Sequence, residues 1–124
     1  MKLGITLVSH VPELVIGLDK LLAQVASDVS ITSAGGNSSD EIGTSMDKIL
    51  TAFSTNQAEE ILAFYDLGSA KMNLEMATEM TNKKIHLYDV AFVEGAYTAA
   101  SLIQAGVGLT EIEQQLAPLN IKNQ

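Results

Sequence analysis

No cysteine occurs in the 124-residue chain, which excludes disulfides and thiolate metal sites and agrees with a reducing, cytoplasmic setting. Arginine is absent too. All seven basic residues are lysines, so this chain offers neither a bidentate guanidinium clamp nor an arginine finger for phosphate. No apolar run approaches the roughly 20 residues needed to cross a bilayer. The N-terminus lacks the basic region, long apolar segment and small-residue cleavage site of a secretion signal. Positive charge is scarce overall, and the net charge of −8 makes nucleic acid and anionic membrane surfaces poor partners. Neither G-x-x-x-x-G-K-[ST] nor G-x-G-x-x-G is found, so nucleotide binding is not signalled.

What is present is enough apolar residue, 47% against 18% charged, for one domain over 1–124 with a real core. Leu3, Ile5, Leu7 and Val8 form a short run rich in β-branched residues, which predicts a buried strand. Pro12 suits the first position of a following helix and Glu13 its positive end. Leu14, Leu18, Leu21, Leu22 and Val25 predict one apolar stripe along a helix over 12–27. A second strand is expected over 29–34, ended by Gly35 and Gly36. A polar loop follows, and Thr44 or Ser45 can cap a helix with Met46, Ile49, Leu50 and Phe53 inward. Strands over 60–65 and 84–88 alternate with helices from Ser69 and over 91–105. A short helix over 110–116 and a frayed tail from Asn120 to Gln124 complete the chain. This alternation predicts an α/β fold, an open, mainly parallel four-stranded sheet with helices on both faces.

In such a sheet, ligands bind where strands give way to helices at the carboxyl edge. Three strand ends should meet there: Ser9-His10, Gly35-Gly36 and Asp66-Leu67-Gly68-Ser69. A neutral imidazole beside a helix N-terminus is a competent nucleophile and can receive a phosphoryl group. Asp66 is the candidate to orient the His10 ring. Ser9 and the backbone around Gly35, Gly36, Gly68 and Ser69 are candidates to surround the phosphoryl oxygens. A metal site is not expected, because His10, one carboxylate and a distant His86 are too few ligands. Structural readings stand beside these. Asp66 can cap the next helix, and Gly35-Gly36 can serve any tight turn. His86 reads as an ordinary strand-face residue, Met72, Met76 and Met80 read as core, and Glu94-Gly95 reads as a tight helix contact.

Four segments in order add a family reading. Val8-Ser9-His10, Ala34-Gly35-Gly36 with Ile42-Gly43-Thr44-Ser45, Asp66-Leu67-Gly68-Ser69-Ala70 and Val93-Glu94-Gly95-Ala96 together span nearly the whole chain. The chain resembles the phosphotransfer subunit of phosphoenolpyruvate-dependent dihydroxyacetone kinase, which has the mannose-type enzyme IIA fold. The resemblance implies a cytoplasmic homodimer in which His10 takes phosphate from the phosphohistidine carrier protein, with Asp66 orienting the ring. It further implies transfer to ADP on a nucleotide-binding subunit, which holds ADP/ATP and magnesium, while this chain binds no cofactor. The carrier and enzyme I, fused behind this domain in some members, are expected to be separate proteins. Two alternatives stay open: a mannose-type enzyme IIA serving a sugar transporter, and a non-catalytic dimeric binding module.

Overall fold

The structure is a computed structural model that describes residues 2–122. Its strands are β1 (Leu3–Ser9), β2 (Ile31–Gly35), β3 (Glu60–Tyr65) and β4 (Lys84–Tyr88). All pairings are parallel, in the order β2-β1-β3-β4. Helices α1 (Pro12–Ala23), α2 (Met46–Thr55), α3 (Ser69–Met80), α4 (Phe92–Gln104) and α5 (Leu109–Leu116) cover both faces. The expected α/β architecture is therefore found, and the strand order places β1 and β3 side by side at its centre.

The pleat explains the layers. Successive residues of a strand point to opposite faces. Leu3, Ile5 and Leu7 of β1 join Leu62 and Phe64 of β3 beneath α1, α4 and α5. Val8 joins Ile61, Ala63 and Tyr65 beneath α2 and α3. Because β1 is covered on both sides, all seven of its residues are buried. Asn56, buried after α2, ties the opposite end of the sheet together. Its side-chain amide donates to Ile5 O at 3.0 Å and its oxygen accepts from Ala58 N–H at 3.0 Å. Gly4 leaves room for it, since a Cβ there would fall 2.3 Å from Asn56 Oδ1.

Several expectations need correction. Helix α1 stops at Ala23, and its inner face is Val15, Leu18 and Leu22, leaving Leu14, Leu21 and Val25 exposed. Apolar residues occupy two faces of this helix, so spacing alone does not choose between them. Strand β2 begins at Ile31, two residues later than expected. Met72, Met76 and Met80 are not core. They are 71%, 48% and 62% exposed, while Ala70, Leu74 and Ala77 face the sheet. Ala70, Leu74 and Ala77 join Ile61, Ala63 and Tyr65 of β3 in one cluster, which turns the methionines outward. The tail is not frayed through Lys122. Asn120 forms an antiparallel bridge with Val90, and the N–H groups of Ile121 and Lys122 donate to Asp89 O at 3.3 and 3.2 Å. The expectation for Asn123 and Gln124 lies outside the described residues. Ser45, not Thr44, caps α2, accepting from Lys48 N–H at 3.2 Å. Gly95 is the tight contact expected, because a Cβ there would meet Val90 Cγ2 at 2.4 Å.

Candidate functional site

The neighbouring ends of β1 and β3 bring His10 and Asp66 together across 56 residues of sequence. Asp66 N–H donates to Val8 O at 3.2 Å, which turns the chain so that the carboxylate faces β1. That carboxylate then collects four donors. Asp66 Oδ2 accepts from Ser9 Oγ at 2.8 Å and His10 N–H at 3.0 Å. Asp66 Oδ1 accepts from Leu67 N–H at 2.7 Å and lies 2.9 Å from His10 Nδ1. Burial pushes the Asp66 carboxyl upward, but these hydrogen bonds, led by the one from the His10 ring, hold it below its ordinary value.

An ionised carboxylate can only accept, so the proton of the imidazole sits on Nδ1. The lone pair of Nε2 then points outward and accepts from Ser69 Oγ at 2.7 Å. Ser69 is the first residue of α3. The cap position is Gly68, and no side chain caps the helix; the Asp66 oxygens are taken by Ser9, His10 and Leu67. The N–H groups of Gly68 and Ser69 take no acceptor among the described residues. A positive helix end therefore fronts the free nitrogen of the ring. The ring is mostly covered, with 13% of its side chain exposed, and Nε2 lies on the outer side.

The other expected residues take different places. Ser9 is fully buried, and its hydroxyl serves Asp66 and accepts from Val11 N–H at 3.0 Å. Gly36 N–H donates to Ser9 O at 3.0 Å, so it is engaged within the fold. Gly35 and Gly36 are glycine for a steric reason. A Cβ on Gly35 would lie 2.8 Å from Pro12 Cα, and one on Gly36, at φ +78°, would lie 2.7 Å from Pro12 Cγ. They let α1 start close to β2 and thereby set the turn that carries His10. His86 is an ordinary strand-face residue, with Nε2 2.7 Å from Glu60 Oε2. No group of three or more potential metal-binding side chains is found among the described residues.

Sequence reasoning missed a second polar cluster one strand over. Tyr65 OH donates to Asp89, and Lys71 Nζ lies 2.9 Å from Asp89 Oδ1. Burial pushes the Asp89 carboxyl upward, but Tyr65 and Lys71 outweigh it and hold it below its ordinary value. The position of Asp89 just after β4, at the same edge as His10, was the available signal. Lys71 and Lys122 had none.

The fold agrees with the comparisons. Residues 4–112 match the family model of the phosphotransferase-system fructose IIA component. The chain is 45% identical to the phosphotransferase subunit DhaM of a phosphotransferase-system-dependent dihydroxyacetone kinase from Lactococcus lactis, covering 98% of this chain and 99% of that one. It is 40% identical to the phosphoryl donor subunit DhaM of dihydroxyacetone kinase 1 from Listeria innocua, covering 96% of each. A crystal structure of a protein of unknown function superposes with a TM-score of 0.85 at 31% identity, covering 100% of this chain and 99% of that one. No helix among the described residues is long and apolar enough to cross a membrane. The chain thus belongs to the mannose-type enzyme IIA family, among the phosphotransfer subunits of phosphoenolpyruvate-dependent dihydroxyacetone kinases.

Proposed function

We propose that His10 carries a phosphoryl group on Nε2, received from the phosphohistidine carrier protein and passed to ADP bound on the nucleotide-binding subunit of a dihydroxyacetone kinase. One observation carries this reading. The ring is held by Asp66 through Nδ1, which leaves the Nε2 lone pair at the N-terminus of α3. In the first step the Nε2 lone pair attacks phosphorus, the donor N–P bond breaks, and its electron pair returns to the donor imidazole. Asp66 stabilises the positive charge that develops on the His10 ring. The free N–H groups of Gly68 and Ser69 and the Ser69 hydroxyl receive the phosphoryl oxygens. In the second step an oxygen of the ADP β-phosphate attacks, the N–P bond breaks and Nε2 recovers its pair.

Such an exchange needs positioning and charge stabilisation more than covalent machinery. The partner subunit supplies magnesium and the further cations, and this chain, which lacks arginine, supplies the carrier. It acts in the cytoplasm as a homodimer and binds no cofactor of its own. The names of the relatives favour dihydroxyacetone kinase over a sugar transporter as recipient.

The experiment is incubation with phosphoenolpyruvate, enzyme I and the carrier protein, followed by intact mass and mapping of the modified residue. An acid-labile, base-stable adduct on His10 is expected, discharged by ADP only with the nucleotide-binding subunit. An adduct elsewhere, or none, overturns the reading. Discharge to a sugar-transport subunit alone changes the recipient.

A further inference from the structure

Beside the phosphoacceptor, the end of the chain folds back over the sheet edge. Asn120 bridges Val90, Ile121 and Lys122 donate their N–H groups to Asp89 O, and Lys122 Nζ donates to Tyr65 O. The same ammonium lies 4.2 Å from the centroid of the Tyr65 ring. Tyr65 is the last residue of β3 and immediately precedes Asp66, the residue that orients His10. Three kinds of contact therefore deliver a cation to the corner from which Asp66 departs.

The placement is costly in solvation, which is an argument for its having a use. Burial pushes the Lys122 ammonium below its ordinary value, against the pull of the Asp66 and Asp89 carboxylates. The groups facing it are Tyr65 and Asp66 at the end of β3 and Asp89 after β4. Lys71 of α3 shares Asp89, and Glu75 of the same helix acts on Tyr65. In return for that lost hydration the ammonium gains the Tyr65 carbonyl and the face of the Tyr65 ring.

We propose that Lys122 is a positioning residue for His10: it fixes the Tyr65–Asp66 corner through the Tyr65 carbonyl and ring and adds a positive charge there. This rests on the reading of His10 as phosphoacceptor. Lys122 forms no covalent bond and keeps its proton. Its charge offsets part of the negative charge that arrives with the phosphoryl group, and its contacts keep the Asp66 oxygens aimed at Nδ1.

The test uses the full chain with phosphoramidate as a small donor, so that no protein docking enters. The P–N bond of the donor breaks, ammonia leaves and an N–P bond forms at His10. Wild type, Lys122→Met and Lys122→Arg are compared by rate of uptake and by the NMR signal of the His10 Nδ1–H proton, which reports its bond to Asp66. Lys122→Met is expected to slow uptake about fivefold and to shift or broaden that signal, and Lys122→Arg to restore both. Wild-type behaviour of Lys122→Met overturns the proposal. So does slowing with an unmoved Nδ1–H signal and no rescue by arginine, which would make Lys122 a structural clip only. Lys122→Gln replaces the methionine variant if that one does not fold. No uptake by wild type defeats the phosphoacceptor reading itself, while the Nδ1–H signal still decides the role of Lys122.

Discussion

The chain has two histidines, and each is paired with a carboxylate at one end of β3, Glu60 as its first residue and Asp66 just past its last. His10 Nδ1 lies 2.9 Å from Asp66, and His86 Nε2 lies 2.7 Å from Glu60. Neither pairing nor exposure separates them, since both side chains are mostly covered. Place in the fold does. His10 stands past the end of β1, with its second nitrogen against the first residue of α3 and, beside it, N–H groups that take no acceptor among the described residues. His86 stands within the edge strand β4, where its pair with Glu60 spans neighbouring strands. That helix end is what the proposed role of His10 rests on, and His86 has none beside it.

The sharpest way to break that comparison is to remove each ring in turn. His10→Ala should abolish the phosphoryl adduct while His86→Ala keeps it, read by intact mass after exposure to the phosphorylated carrier. An adduct surviving on His10→Ala would place the chemistry elsewhere. Both proteins should give cooperative unfolding transitions, which separates lost chemistry from lost folding.

Next in size is Asp66→Asn, which still offers Nδ1 an acceptor but cannot accept from Leu67, Ser9 and His10 together. Uptake should fall between about 10²- and 10⁴-fold, the range expected when a carboxylate no longer selects the tautomer and steadies the imidazolium. A rate within a factor of two of wild type would remove Asp66 from the mechanism. Stability supplies a second reading. The carboxyl is held below its ordinary value in the fold, so its contribution is present above the unfolded value, about 3.9, and is lost as pH falls through the lower folded value. Wild type should therefore be more stable than Asp66→Asn in urea at pH 7, and the gap should close in acid.

Much of this site was legible because strand and helix ends leave signals near themselves. The apolar run before His10, Pro12 after it and the glycines at 35 and 36 place the turn, and alternation of elements predicts the parallel sheet in which β3 lies beside β1. What was not legible depends on contacts that local spacing does not encode. Met72, Met76 and Met80 keep helical spacing, yet Ala70, Leu74 and Ala77 take the inner face, in one cluster with Ile61, Ala63 and Tyr65. Lys122 looks like any tail lysine until the chain returns to Asp89 and Tyr65. Ser9 and Gly36 stand in the right place, but the fold itself uses their hydrogen bonds.

Ser69→Ala tests the finer half of the comparison, the hydroxyl that His10 has and His86 lacks. In the resting protein it donates to Nε2, and after transfer it can donate to a charged phosphoryl oxygen, a stronger bond. The phosphorylated state therefore loses more on its removal, by about 1 kcal/mol. At a fixed ratio of phosphorylated to free carrier, the adduct equilibrium should drop about fivefold. An unchanged equilibrium would confine Ser69 to the resting state.

His86→Ala should have the smallest effect, and its form matters more than its size. The His86 hydrogen bond is the leading reason that the Glu60 carboxyl lies below its ordinary value, ahead of the opposing effect of burial. The pair bridges an edge strand, so its removal should cost about 0.5 kcal/mol at pH 7. Because the Glu60 value is lowered on folding, this contribution is present above the unfolded value and fades as acid protonates the carboxylate. Urea unfolding of wild type and His86→Ala should converge below about pH 4, with phosphoryl uptake at pH 7 equal in the two. A deficit that persists in acid would mean that the ring acts by packing, beside Tyr88 at a centroid distance of 6.5 Å, and not through its carboxylate. A fall in uptake would mean that the edge strand reaches the phosphoacceptor after all, and place in the fold would no longer distinguish the two histidines.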